Sequence, residues 1–111
     1  MNALPPKIRD VILELEAGLK DLYGERFHSL LLYGSYARGT AWEGSDVDLL
    51  LLLEGPVRPV KEIVAMEPVA WPLSLDSGLV LSVIPADVEA WRRKEGIFFK
   101  TIHEDAIPVA A

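Results

Sequence analysis

Cysteine is absent from the 111 residues, so disulfides and thiolate metal sites are excluded. Histidine occurs only at His28 and His103. Neither has a second histidine three or four residues away, the spacing a zinc site favours, and His103-Glu104-Asp105 reads as a solvated helix end. Long apolar stretches are missing too: the longest, Leu49 to Leu53, is far too short to span a bilayer. Residues 1–20 carry Lys7, Arg9, Asp10, Glu14 and Glu16, which argues against a secretory leader. A cytoplasmic protein without membrane contact is expected. Positive charge is scarce, with 11 Lys and Arg against 17 Asp and Glu and a net charge of -6. The only basic run, Arg92-Arg93-Lys94, reads as a solvated face, so direct nucleic-acid binding is not expected.

Half of the residues are apolar and a quarter are charged, enough for the core of one domain over residues 1–111. Pro5-Pro6 opens a helix in which Ile8, Val11, Ile12, Leu15, Leu19 and Leu22 recur at helical spacing, ended by Tyr23-Gly24. His28 to Tyr33 and Asp46 to Leu53 read as strands, the leucine run of the second implying burial on both faces. A helix is expected from Pro59 to Glu67, with Pro68 and Pro72 breaking the chain after it. A third strand is expected over Leu79 to Ile84, closed by Pro85. Helices over Asp87 to Glu95 and Ile97 to His103 follow, then a short edge strand at Ile107-Pro108-Val109. The pattern predicts an α/β fold, a small mixed β-sheet with helices packed against it.

One constellation carries chemistry. Gly34-Ser35 follows the first strand, and Asp46-Val47-Asp48 heads the second. Alternate residues of a strand share a face, so Asp46 and Asp48 project together, and two adjacent carboxylates repel unless a cation sits between them. Mg²⁺ suits such a pair, bound by one or two carboxylates plus substrate phosphates. Gly34 permits a sharp bend and close approach to a ligand. Ser35 offers a hydroxyl and an amide to phosphate oxygens, and Arg38 lies one turn further on. Each half alone reads as ordinary, a strand entry and a serine-capped turn; together, at adjacent strand ends, they read as a site for a nucleoside triphosphate. Trp42, between the halves, reads either as a stacking surface for a base or as a loop anchor. Trp71, Trp91, Phe98 and Phe99 suit packing in the core or at a contact with another chain.

Gly34-Ser35-Tyr36-Ala37-Arg38-Gly39 and Ser45-Asp46-Val47-Asp48-Leu49 resemble the signature of the DNA polymerase β-like nucleotidyltransferases, and more narrowly the minimal nucleotidyltransferase (MNT) domains. The resemblance runs from about Ile8 to Val109 and is sharp at residues 34–48. It implies a small mixed sheet with helices on one side. It also implies transfer of a nucleoside monophosphate, AMP from ATP being the expected case, to an acceptor hydroxyl. In that pattern Gly34, Ser35 and Arg38 hold the nucleotide, and Asp46 and Asp48 are the catalytic carboxylates that bind Mg²⁺. A HEPN-family partner in a toxin–antitoxin module is implied as well. One departure stands out. Active members carry a third carboxylate on a later strand, and Leu79 to Ile84 has none; Asp76 and Asp87 flank it. The alternative is therefore an inactive or weakly active antitoxin-like subunit that neutralises a HEPN partner by binding.

Overall fold

A computed structural model describes residues 4–109. The order of elements is α1 (Pro6–Tyr23), a 3-10 turn (Gly24–Arg26), β1 (Phe27–Tyr33), α2 (Ser35–Arg38), β2 (Val47–Leu53), α3 (Pro59–Ser77), β3 (Leu81–Asp87), α4 (Val88–Arg92), α5 (Gly96–Ile102) and β4 (Ile107–Pro108). The four strands form one sheet in the order β3-β2-β1-β4. β1 runs antiparallel to β2 and to β4, whereas β2 and β3 are parallel and joined through α3.

Strand alternation explains the leucine run of β2. Leu49, Leu51 and Leu53 point with Leu30 and Leu32 towards α1 and α3. Leu50 and Leu52 point with Leu31 the other way, where Val88 and Trp91 of α4 and Ile102 of α5 close over them. All five leucines are at most 2% exposed, so β2 is a central strand buried on both sides, as the sequence implies. Helices thus cover both faces, not one: the two long helices lie on one side and the two short ones on the other.

Two proline boundaries fall elsewhere than expected. α3 continues through Pro68 and Pro72 to Ser77. The two prolines lie four residues apart, on one side of the helix, and both are exposed. Met66, Val69, Ala70 and Leu73 on the inner side pack into the core. That burial outweighs the roughly 3 kcal/mol a proline costs inside a helix. Pro85 likewise lies within β3, paired with Leu51. β3 is a sheet edge, where a residue without an N–H is tolerated.

Candidate functional site

The topology gathers one end of the sheet. Because β1 and β2 are antiparallel, the end of β1 (Tyr33) lies against the start of β2 (Asp48). The parallel partner β3 begins at the same end, so Ser82 pairs with Asp48. β4 runs back along β1 with Leu32 opposite Ile107, which brings the preceding Asp105 to that end as well. Gly34, Arg38, Asp46, Asp48, Tyr33, Ser82 and Asp105 therefore come from four separate stretches of chain and share one sheet end.

Gly34 is built for its neighbour. Its backbone has φ 77°, a left-handed conformation that side chains disfavour. A Cβ there would collide with the Asp48 carboxylate oxygen and lie 3.1 Å from its carbon. Glycine is required at this position so that the carboxylate can lie across the bend. Ser35 starts the single turn of α2, stitched by hydrogen bonds from the Arg38 N–H to the Gly34 carbonyl (3.0 Å) and from the Thr40 N–H to the Ser35 carbonyl (3.0 Å).

Asp48 is half-buried and Asp46, just before β2, is exposed. Burial pushes the Asp48 carboxyl above its ordinary value, the Asp46 charge adds to the rise, and the Arg38 guanidinium opposes it. The pair thus stores repulsion that a cation would relieve. Tyr33, beside Asp48, has its phenol pushed upward by burial and by the same carboxylate. Arg38 is not free: its Nη1 donates to Asp105 Oδ2 at 3.0 Å. Ser45 closes the intervening loop, its Oγ accepting from the Trp42 N–H (2.9 Å) and its own N–H donating to the Trp42 carbonyl (2.9 Å). The Trp42 ring stays 72% exposed.

Neither flanking acid completes the site. Asp87 belongs to β3, which extends past the expected end, but it pairs with Leu53 at the far end of the sheet. There its Oδ1 caps α4, accepting from Glu89 N–H (2.8 Å) and Ala90 N–H (3.4 Å). Asp76 is exposed on α3. Ser82 occupies the in-strand position beside Asp48. Among the described residues no group of three or more His, Cys, Asp or Glu is placed to hold a metal. His103, expected at a solvated end, is half-buried: its ring stacks on Trp91 at 3.7 Å, and its Nε2 lies 2.9 Å from the Trp91 carbonyl. Residue order does not assign Tyr33, Ser82 or Asp105 to the site, since only strand pairing brings them here.

Comparison with known proteins bears on the family and the fold. The model of the family described as nucleotidyltransferase domain matches residues 12–103. A Methanocaldococcus jannaschii protein named as a protein adenylyltransferase is 44% identical over 45 residues, which covers 40% of this chain and 31% of that protein. Among solved structures, a toxin–antitoxin with AMP-PNP superposes with a TM-score of 0.58 at 18% identity, over 91% of this chain and 71% of that one. A nucleotidyltransferase from Sulfolobus solfataricus gives a TM-score of 0.55 at 17% identity, over 97% and 89%. At those identities the structural likeness shows the fold, and the family match covers most of the chain. The chain belongs to the nucleotidyltransferase family and is a nucleotidyltransferase domain.

Proposed function

We propose that this domain transfers AMP from ATP to an acceptor hydroxyl on a HEPN-family protein in the cytoplasm. The observation that carries the reading is the convergence of Gly34, Arg38 and the Asp46–Asp48 pair at one sheet end, with the Asp48 carboxyl raised by burial and, after it, by the Asp46 charge. The names of the relatives support it: one is a protein adenylyltransferase, and one fold neighbour is a toxin–antitoxin with AMP-PNP. Among the described residues no helix is long and apolar enough to cross a membrane.

The donor set fits Mg²⁺. Two hard oxygen donors from the protein leave the remaining positions for phosphate oxygens and water, which is how Mg²⁺ is usually held. When bound, it would neutralise the triphosphate and the leaving pyrophosphate. Asp46 and Asp48 would hold it. Ser35 would bind phosphate oxygens through its hydroxyl and amide. Arg38, kept in place by Asp105, would add positive charge, and the exposed ring of Trp42 would stack on the base. The acceptor oxygen attacks the α-phosphorus, the bond to the β-phosphate oxygen breaks, pyrophosphate leaves, and the acceptor's proton passes to solvent.

A second reading is favoured by Ser82. With serine beside Asp48 and Asp87 at the opposite end, β3 offers no carboxylate to take the acceptor's proton, and Asp105 is engaged by Arg38; that role is typically worth about a hundred- to ten-thousandfold in rate. The chain would then neutralise its partner chiefly by binding it. The two readings separate on incubating the chain with Mg²⁺, labelled ATP and the HEPN protein. Label on the partner that is lost with Asp46→Asn supports transfer. A stable complex without label, unchanged by Asp46→Asn, supports neutralisation by binding. No binding of Mg²⁺–ATP and no complex would end both.

A further inference from the structure

α1 and α3 cover the same face of the sheet, yet their outer surfaces differ. α1 turns Lys7, Asp10, Glu14, Lys20 and Asp21 to solvent. α3 turns out Val60 (76% exposed), Val64 (62%), Trp71 (58%) and Leu75 (62%), with Ile63 half exposed beside them. Positions 60, 64, 67, 71 and 75 follow helical spacing, so these side chains form one stripe. A helix apolar on both sides is normally buried on both sides, and contiguous apolar patches of this kind mark interaction surfaces. Beside the stripe, α3 and the start of β3 enclose a groove of about 530 Å³, lined by Ile63, Val64, Trp71, Leu75, Val80 and Leu81 among others.

The groove is not part of the carboxylate site. Leu81 and Val83 of β3 point to the α1–α3 face, whereas Ser82, between them, stands beside Asp48 on the opposite face. An occupant of the groove leaves the nucleotide side open. The groove follows α3 from position 63 to 75, a length of about 18 Å at the helical rise, which fits three turns of a helix laid alongside.

Charge identifies the occupant further. Glu67 lines the groove, is exposed, and sits in the middle of the apolar stripe. Among the described residues it makes no ion pair. A second copy of the chain is a poor match: two α3 stripes packed about a two-fold axis at their midpoint would oppose Glu67 to Glu67, between two chains each of net charge -6. We propose that the α3–β3 groove receives an amphipathic helix of another protein whose apolar face carries a lysine or arginine opposite Glu67.

The proposal is independent of the nucleotide reading and is tested with a defined probe. A synthetic peptide of about 18 residues, long enough for five helical turns, has leucines along one face, a lysine at the centre of that face and glutamine elsewhere. Titrated into the full chain, it should bind saturably and gain helical circular dichroism. Replacing its central lysine by glutamate should weaken binding about tenfold, as for a covered charge pair, and Glu67→Lys in the chain should reverse that preference. Trp71→Glu should abolish binding while leaving the chain's own far-ultraviolet spectrum unchanged. The proposal is overturned by the absence of saturable binding, by a preference that Glu67→Lys leaves alone, or by binding without helix gain, as an added strand would give. It is equally overturned if the chain alone sediments as a dimer that Trp71→Glu dissociates.

Discussion

Asp48 shows what a half-buried carboxylate beside a second one costs the fold. Burial and the Asp46 charge raise its carboxyl, so the unfolded chain ionises this group more readily than the folded one does. Above the raised folded value the carboxylate costs stability, and the cost disappears as pH falls below the unfolded value. Asp48→Asn should therefore melt higher than wild type near pH 7 without divalent cations, by up to about 3 °C for a change outside the core. The gain should fade as the pH enters the carboxylate range, and nucleotidyl transfer should drop about a hundredfold or more. A lower melting midpoint at pH 7 would instead make Asp48 a structural residue. Gly34 completes the lesson. Its glycine was legible as a ligand-approach signal, but the first group it makes room for is the Asp48 carboxylate.

At the scale of elements, packing overrode local punctuation. Pro68, Pro72 and Pro85 each read as a stop, and each lies inside an element. Propensity acts locally, whereas α3 is held by its buried inner face and β3 by its pairing with β2. By contrast α1, with caps and periodicity in agreement, ends where its sequence says. The contact between α1 and α3 depends on Gly18, where a Cβ would come within 2.5 Å of Val69 Cγ1. Val69 is β-branched on a helix and has little rotamer freedom. Gly18→Ala should destabilise the fold by about 1 kcal/mol or more, although alanine is the better helix former by about 1 kcal/mol. Chemical denaturation of Gly18→Ala, Val69→Ala and the double variant measures this. The double variant should recover most of the loss, because the added methyl fills the space Val69 vacates. Strict additivity would refute the close contact.

Over the whole molecule, an ion pair with a buried carboxylate ties distant segments together. Glu62 of α3 is 5% exposed and accepts from Arg26 Nη2 at 2.9 Å. The same guanidinium also donates to the carbonyls of Glu54 (3.2 Å) and Pro56 (2.9 Å). The Arg26 hydrogen bond holds the Glu62 carboxyl below its ordinary value against the opposing effect of burial. Nearby, burial and the Glu62 charge push the Tyr23 phenol up to about 12. For a lowered carboxyl, the stabilisation is complete above the ordinary value of 4.5 and is lost as pH falls through the lowered folded value. Glu62→Gln should cost about 2 kcal/mol at pH 7, a charge-assisted hydrogen bond's worth, and should flatten the decline of stability below pH 4.5. Urea unfolding across pH 3 to 7 would show it, and parallel curves for the two proteins would refute it.

The helical period of α1, the doubly buried leucines of β2 and the Gly-Ser and Asp-x-Asp pair are properties of neighbours along the chain, so the α/β class and the residues of the candidate site could be named from residue order alone. Tyr33, Ser82 and Asp105 join that site through register, and register depends on which strands lie side by side. The same holds for Asp87, which a linear reading leaves available to the carboxylates and the parallel β2–β3 pairing carries to the far end of the sheet. It holds again for the α3 stripe, whose apolar spacing alone does not distinguish a core face from an open one until the sheet is known to lie on its other side.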